Sequence, residues 1–189
     1  MDQEPPTRAV RWPVVRVIPQ HDVAVVLLSG DWFRVVTHFS GRTVLCAELD
    51  RCPLCSLLPS RPYWYLPCLV LPRRYCGLLE LSATTSADLE QRAKMLHGGV
   101  GAGLTVRLSR RSTKRPIYCE ILEDGKLARS LALYEWVSAV MAVYGFSAMR
   151  EGESVASYGE RIRPSVIERG GVVASRLAAA GSGRVAGRR

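Results

Sequence analysis

The chain is poor in histidine, lysine and acidic residues, and each shortage narrows what it can do. Its 189 residues hold three histidines, and 17 Asp plus Glu stand against 26 Lys plus Arg. Lysine occurs only at Lys94, Lys114 and Lys126, so the basic charge is carried by arginine. No His-Glu-x-x-His, no Gly-x-Ser-x-Gly nucleophile elbow and no Gly-x-x-x-x-Gly-Lys-Ser/Thr phosphate loop is present. The glycine run Gly98 to Gly103 follows a helical pattern and leads into a strand, the reverse of the order a dinucleotide fold needs. His-x-Glu, which zinc deaminases require, is also missing. These absences predict a protein that is not an enzyme, with no catalytic residue. Apolar runs such as VAVVLLSG fall far short of the ~20 residues that span a bilayer. MDQEPPTRAV lacks the basic and apolar regions of a signal peptide. The expectation is an intracellular protein, cytoplasmic or nucleoid-associated, with no membrane partner and with its thiols reduced.

What is present begins with cysteine. Three of six cysteines and one histidine fall within HFSGRTVLCAELDRCPLC: His38, Cys46, Cys52 and Cys55. Thiolate and imidazole are the ligands that Zn²⁺ prefers, and four protein ligands make a closed, structural site. CPLC presents two sulfurs from one turn, with Pro53 fixing a backbone angle inside it. A redox pair would sit between a strand and the helix it opens, and no such unit is legible here. His38 ends an apolar run and is the least specified ligand, with Cys68, Cys76, His21 and His97 as its substitutes. The cofactor expected is a structural Zn²⁺.

The net charge of +9 favours an anionic partner. Along the chain, WPVVRVI, DVAVVLLS and DWFRVVTHF read as strands, with a tight hairpin turn at Ser29-Gly30-Asp31. RPYWYLPCLVLP and YCGLLELS read as further strands, with Pro67 marking an edge or a bulge. Leu89, Ala93 and Leu96 recur at helical spacing, which predicts a helix from about Ser86 to His97. GLTVRLSRR and RPIYCEILE form a closing hairpin. Leu133, Trp136, Val137, Val140 and Val143 or Tyr144 predict a second helix. Residues 1–10 read as a flexible lead-in and 11–146 as the folded domain. Residues 147–189, rich in Gly, Ala and Arg, read as a largely disordered basic tail with a short helix near Ser175 to Ala180.

Strands, a metal-clipped insertion, more strands, one helix and a closing hairpin predict a mainly β chain with the OB-fold, a five-stranded Greek-key barrel. Such barrels bind oligonucleotides on the face of strands 2 and 3 and on adjoining loops. Binding of single strands without sequence preference needs stacking rings beside a positive groove. RPYWY supplies Arg61, Tyr63 and Tyr65, and Arg73, Arg74 and Tyr75 follow. Trp64 lies on the opposite face of the strand from Tyr63 and Tyr65. The closing hairpin adds Arg107, Arg110, Arg111, Lys114 and Arg115, and Arg34 and Arg42 flank the histidine.

On His38, Cys46, Cys52 and Cys55, and on the order of strands from about Phe33 to Leu122, the chain resembles the zinc-containing single-stranded DNA-binding proteins of T4-like bacteriophages. The resemblance implies those four residues as zinc ligands, and single-stranded DNA and proteins of replication or recombination as partners. The spacing from His38 to Cys46 is shorter than in that family, and the C-terminal region is basic where the family's is acidic. Two other functions fit the same residues: a zinc-stabilised protein-interaction subunit of a larger nucleic-acid machine, and an OB-fold protein that binds RNA.

Overall fold

The computed structural model describes residues 12–47, 52–125, 131 and 133–182. The expected lead-in at 1–10 lies outside the described residues. Two compact units share the chain: Met1–Arg34 with Tyr63–Gly152, and Val35–Pro62 with Glu153–Arg189.

The first unit is built on a sheet. Its strands are β1 (Val14–Val15), β2 (Val23–Leu27), β5 (Arg61–Leu71, from Tyr63 onward), β6 (Tyr75–Ser82), β7 (Leu104–Ser109) and β8 (Tyr118–Asp124), with β3 (Phe33–Phe39) and β4 (Thr43–Leu45) between β2 and β5 in the chain. The lateral order is β1-β6-β5-β2-β7-β8. Within it, β7-β2-β5-β6 has the 4-1-2-3 order of a Greek key, all its pairs antiparallel. The sheet is open. β1 pairs in parallel with the outer edge of β6, and no pairing of β8 with β6 is seen among the described residues. Among the described residues the architecture is therefore a sheet-rich mix of strands and three helices, and closure into the expected barrel is not observed.

Alternation explains the core. Val25 and Leu27 of β2, Leu66, Cys68 and Val70 of β5, Leu79 and Leu81 of β6, and Val106 and Leu108 of β7 all turn inward and are buried together. The helix α1 (Ala83–His97) adds Leu89 and Ala93 to them. It starts three residues before the expected Ser86, because Ser82 caps it by accepting a hydrogen bond from the Thr85 N–H at 3.3 Å. Gly98 ends it at φ 79°. Gly77 is needed at its place in β6: a Cβ there would lie 2.7 Å from Val15 Cγ2, so only glycine lets β1 dock.

Two local expectations are corrected. Ser29-Gly30-Asp31 is not a hairpin turn, since β2 pairs with β5 and β7 rather than β3. Gly30 instead meets the Val100 carbonyl, which a Cβ would approach to 2.7 Å. Pro67 is in an interior strand, not at an edge. Its carbonyl accepts from the Leu28 N–H at 2.9 Å just past the end of β2, and the Leu28 carbonyl, which Pro67 cannot reach, accepts from the Leu131 N–H at 3.0 Å. The missing donor of proline therefore leaves no acceptor unpaired.

The helix α2 (Leu133–Val143) buries Trp136, Val137 and Val140 as the spacing predicts, with Phe33 edge-on to Trp136 at 6.1 Å. Beyond it the chain folds back, and the Met149 N–H donates to Ser138 Oγ at 2.8 Å. No helix among the described residues is long and apolar enough to cross a membrane.

The largest correction concerns residues 147–182 of the expected tail, whose last residues, 183–189, lie outside the described residues. Instead of a disordered tail, Val155–Ser182 form a 28-residue helix, α3, in the second unit. Ser154 caps its first turn through the Ser157 N–H at 3.1 Å, and Arg161 grips Glu153 with two hydrogen bonds of 2.8 Å. Tyr158, Val166, Gly170 and Val173 are buried and, with half-buried Ile162, recur every three or four residues. Composition hid that period, for glycine at 159, 170 and 171 and Pro164 are poor helix residues whose cost is offset only where the apolar face finds a partner.

Candidate metal centre and basic surface

The partner of α3 is the cysteine segment. β3 and β4 form an antiparallel hairpin that sets His38 opposite Val44. The Cys46 N–H donates to the Val36 carbonyl at 2.8 Å, which fixes that cysteine just past β4. Cys52 to Cys55 closes as a turn through a Cys55 N–H to Cys52 carbonyl bond of 3.1 Å, and Leu57 and Leu58 N–H groups continue it onto Leu54. These elements bring one ligand atom each from His38, Cys46, Cys52 and Cys55 to within 4.8 Å of one another.

The spacing suits a tetrahedral ion. Cys46 and Cys55 sulfurs are 3.6 Å apart, and His38 Nε2 is 3.5 Å from Cys52 Sγ and 3.6 Å from Cys55 Sγ. Metal–sulfur bonds of about 2.3 Å and metal–nitrogen bonds of about 2.0 Å give tetrahedron edges of roughly 3.5–3.8 Å. A disulfide needs about 2.05 Å, and none of the six cysteines is in a disulfide. His38 is 1 % exposed and turns Nε2 to the sulfurs. Its Nδ1 is buried with no hydrogen-bond partner among the described residues. The proton therefore belongs on Nδ1 when Nε2 is a ligand.

The thiols are tuned unequally. Burial works against the Cys52 thiolate, yet hydrogen bonds from the Ala47 and Leu54 backbone and from Cys46 and Cys55 outweigh it and hold the pKa below the ordinary thiol value. Cys55 is pushed up, by burial first and then by the charge and hydrogen bonding of Cys52. Cys52 is thus easier to deprotonate than Cys55, and a bound cation would favour the thiolate form of all three. Around the site Val36, Leu54 and Val173 are buried with Cys46 and Cys52, and Val44, Ala47, Leu58, Ala174 and Leu177 pack on them. Gly170 brings α3 against the CPLC turn: a Cβ there would lie 3.3 Å from Pro53 Cγ. Cys68, Cys76, His21 and His97 are outside this cluster, and Cys68 is buried in the sheet core.

The expected nucleic-acid residues separate. Arg42 and Arg61 are exposed in the second unit, and the Arg61 carbonyl accepts from the Thr37 hydroxyl. In the first unit Tyr65 has no accessible surface, so it cannot stack on a base. Its hydroxyl donates to Glu80 at 2.5 Å and meets the Tyr144 hydroxyl at 2.6 Å, while Arg16 holds the other Glu80 oxygen at 2.6 Å. Tyr65 was expected to share an open face with Tyr63; the segment after α2 covers it. Tyr63 is half-buried, and Trp64, also half-buried, has the exposed Arg34 over its ring at 5.8 Å. Arg73, Arg74 and Tyr75 are exposed at the β5–β6 turn, Arg74 with φ 51°.

The β7–β8 hairpin gathers the rest. Arg107 pairs with Glu120 at 3.3 Å. Arg110 donates to the carbonyls of Thr113 and Arg115, so it holds the link together. Arg111, Lys114 and Arg115 are exposed and have no carboxylate partner among the described residues. Sequence reasoning missed Tyr118, which opens β8, is 55 % exposed and has Arg92 over its ring at 5.1 Å. Its signal was its place two residues after RRSTKRP, the most basic stretch of the chain. No protein-family model matches this chain, and no curated protein or solved structure is found to be similar to it.

Proposed function

We propose that this protein binds single-stranded DNA with little sequence preference on an open OB-like sheet, and that its second unit holds a structural zinc ion. The observation that carries the reading is the cluster Arg111, Lys114 and Arg115, three exposed cations on the link between β7 and β8 without carboxylate partners among the described residues. Uncompensated guanidinium groups on one loop suit a polyphosphate backbone. In an OB-fold that link is the loop between the fourth and fifth strands, one of its two oligonucleotide-binding loops. Supporting the OB-like assignment, β2, β5, β6, β7 and β8 follow in the chain as five strands with α1 between the third and fourth. The cysteine segment then occupies the loop between strands one and two, the other such loop.

Zinc, when bound, supplies a cross-link among four side chains and no open position for water. His38, Cys46, Cys52 and Cys55 would hold it, and their role is to fix the CPLC turn under α3. With Tyr65 enclosed, Tyr63, Tyr75 and Tyr118 are the rings left for stacking.

The test is a fluorescence-anisotropy titration of labelled oligo-dT, competed by duplex DNA and by oligo-U at two salt concentrations. The reading expects binding that weakens steeply with salt and that duplex does not displace. Equal competition by oligo-U would move the assignment to single-stranded nucleic acid in general. Absence of binding to all three would leave the protein-interaction subunit in its place.

A further inference from the structure

Beside Tyr118 the surface opens into a cleft of about 680 Å³, lined by Ser109, Arg111, Ser112, Arg115, Pro116 and Tyr118. The combination is specific in chemistry: one exposed ring, two guanidinium groups and two hydroxyls around one volume. Ser109 lies directly opposite Tyr118 in the β7–β8 register, so both side chains emerge on the same face of the hairpin. Arg110 anchors the loop from inside through its bonds to Thr113 and Arg115 carbonyls, and the Arg115 N–H donates to the Ser112 carbonyl at 3.1 Å. The loop that carries the cations is therefore preorganised.

The ring is held in place as well. Arg92 projects from α1 over Tyr118 at 5.1 Å, and Asp88, one helical turn earlier, fixes that guanidinium with two contacts of 3.0 Å. Arg92 is thus charge-compensated by its own helix, whereas Arg111 and Arg115, which line the cleft, have no carboxylate partner among the described residues. An apolar ligand would leave those two charges unanswered. A bare anion would leave the ring unused.

We infer that the cleft is a nucleotide subsite, with a nucleobase stacked on Tyr118 and its phosphate held by Arg111 and Arg115. The inference deepens the nucleic-acid reading and rests on it for the source of the nucleotide, a unit of a single strand. Free thymidine monophosphate has the same chemistry and serves as the second probe.

The experiment uses the full-length, zinc-assayed protein and three variants: Tyr118→Ala, Tyr118→Phe and Arg111→Ala with Arg115→Ala. Labelled oligo-dT is titrated at several salt concentrations, and monophosphate binding is followed by amide chemical-shift perturbation. Tyr118→Ala is expected to weaken oligo-dT roughly tenfold, and Tyr118→Phe to restore most of it. The double arginine variant is expected to lower the salt slope by about 1.4. Shifts from the monophosphate should centre on 109–118. Unchanged oligo-dT binding in Tyr118→Ala and in the arginine variant, with the wild type binding normally, overturns the subsite and leaves the single-strand reading standing. A wild type that binds the monophosphate at 109–118 but no oligonucleotide keeps the subsite and removes the single strand as its source. Circular dichroism of each variant separates lost binding from lost fold.

Discussion

The two units stand on different physics. In the first, fifteen buried residues from β1, β2, β5 to β8 and α1 form one core, and only two of them are cysteines. In the second, among the described residues, Val36, Cys46, Cys52, Leu54 and Val173 form one buried cluster, and two of those five are candidate metal ligands. A cluster that small rarely supplies enough apolar burial by itself to offset the ordering of its chain. α3, the longest helix among the described residues, thus packs on the segment that carries the candidate metal ligands, whereas the sheet core contains none of them.

Metal removal breaks the comparison most sharply. Structural zinc contributes on the order of 10 kcal/mol to the folding of small sites. Cys52→Ser, or chelation, is expected to abolish the helical signal of α3 in far-ultraviolet circular dichroism. All four tryptophans, Trp12, Trp32, Trp64 and Trp136, fall within the first unit, so their emission reports on it alone. That emission should hardly change; a large shift would mean that the sheet also requires the metal.

Core truncations sharpen it at the next level. Leu54→Ala and Leu66→Ala each remove a fully buried side chain, one per unit, and each should cost about 2–5 kcal/mol. Denaturant melts should show Leu54→Ala lowering zinc affinity together with stability, and Leu66→Ala leaving zinc affinity unchanged. Equal loss of zinc in both would merge the two units into one cooperative block.

Alkali tests the polar contact of the first unit. Burial pushes Tyr144 up to about 12, and burial with the nearby Tyr144 and Glu80 pushes Tyr65 up as well. Both phenols stay protonated in the fold while the unfolded chain ionises at its ordinary value near 10. The stability they contribute is complete below pH 10 and declines as pH rises toward 12, by about 1.4 kcal/mol per pH unit for each phenol. Tryptophan-detected urea melts should follow that slope, and Tyr144→Phe should reduce it.

The smallest effect lies in α3. Gly159 has nothing within 4 Å of an added Cβ, so Gly159→Ala should stabilise the helix by about 0.5–1 kcal/mol. At Gly170, where Pro53 Cγ stands 3.3 Å away, a valine should destabilise both the helix and the metal turn. Thermal melts monitored at the helical band distinguish the two positions.

The strands of the first unit were legible because Val25, Leu27, Val106 and Leu108 alternate with polar or less buried neighbours, a period that burial on one face enforces. The grouping of the four candidate ligands was legible because soft ligands are rare and their spacing is chemistry. Barrel closure was not, since no local pattern in β6 or β8 specifies which distant edge each meets. Tyr65 was misjudged because alternation assigns a residue to a face and does not say what covers that face. α3 was missed because its partner, the turn at Pro53, lies more than 100 residues away in the chain, and helical propensity in glycine-rich sequence is decided by such contacts.

The central claim is that an ion organises the second unit, and elemental analysis tests it most directly. Full-length protein purified under reducing conditions and assayed by plasma mass spectrometry is expected to carry one zinc per chain. The same assay on Cys52→Ser should return none. A wild type free of any metal that nonetheless shows the full helical signal of α3 would contradict the account.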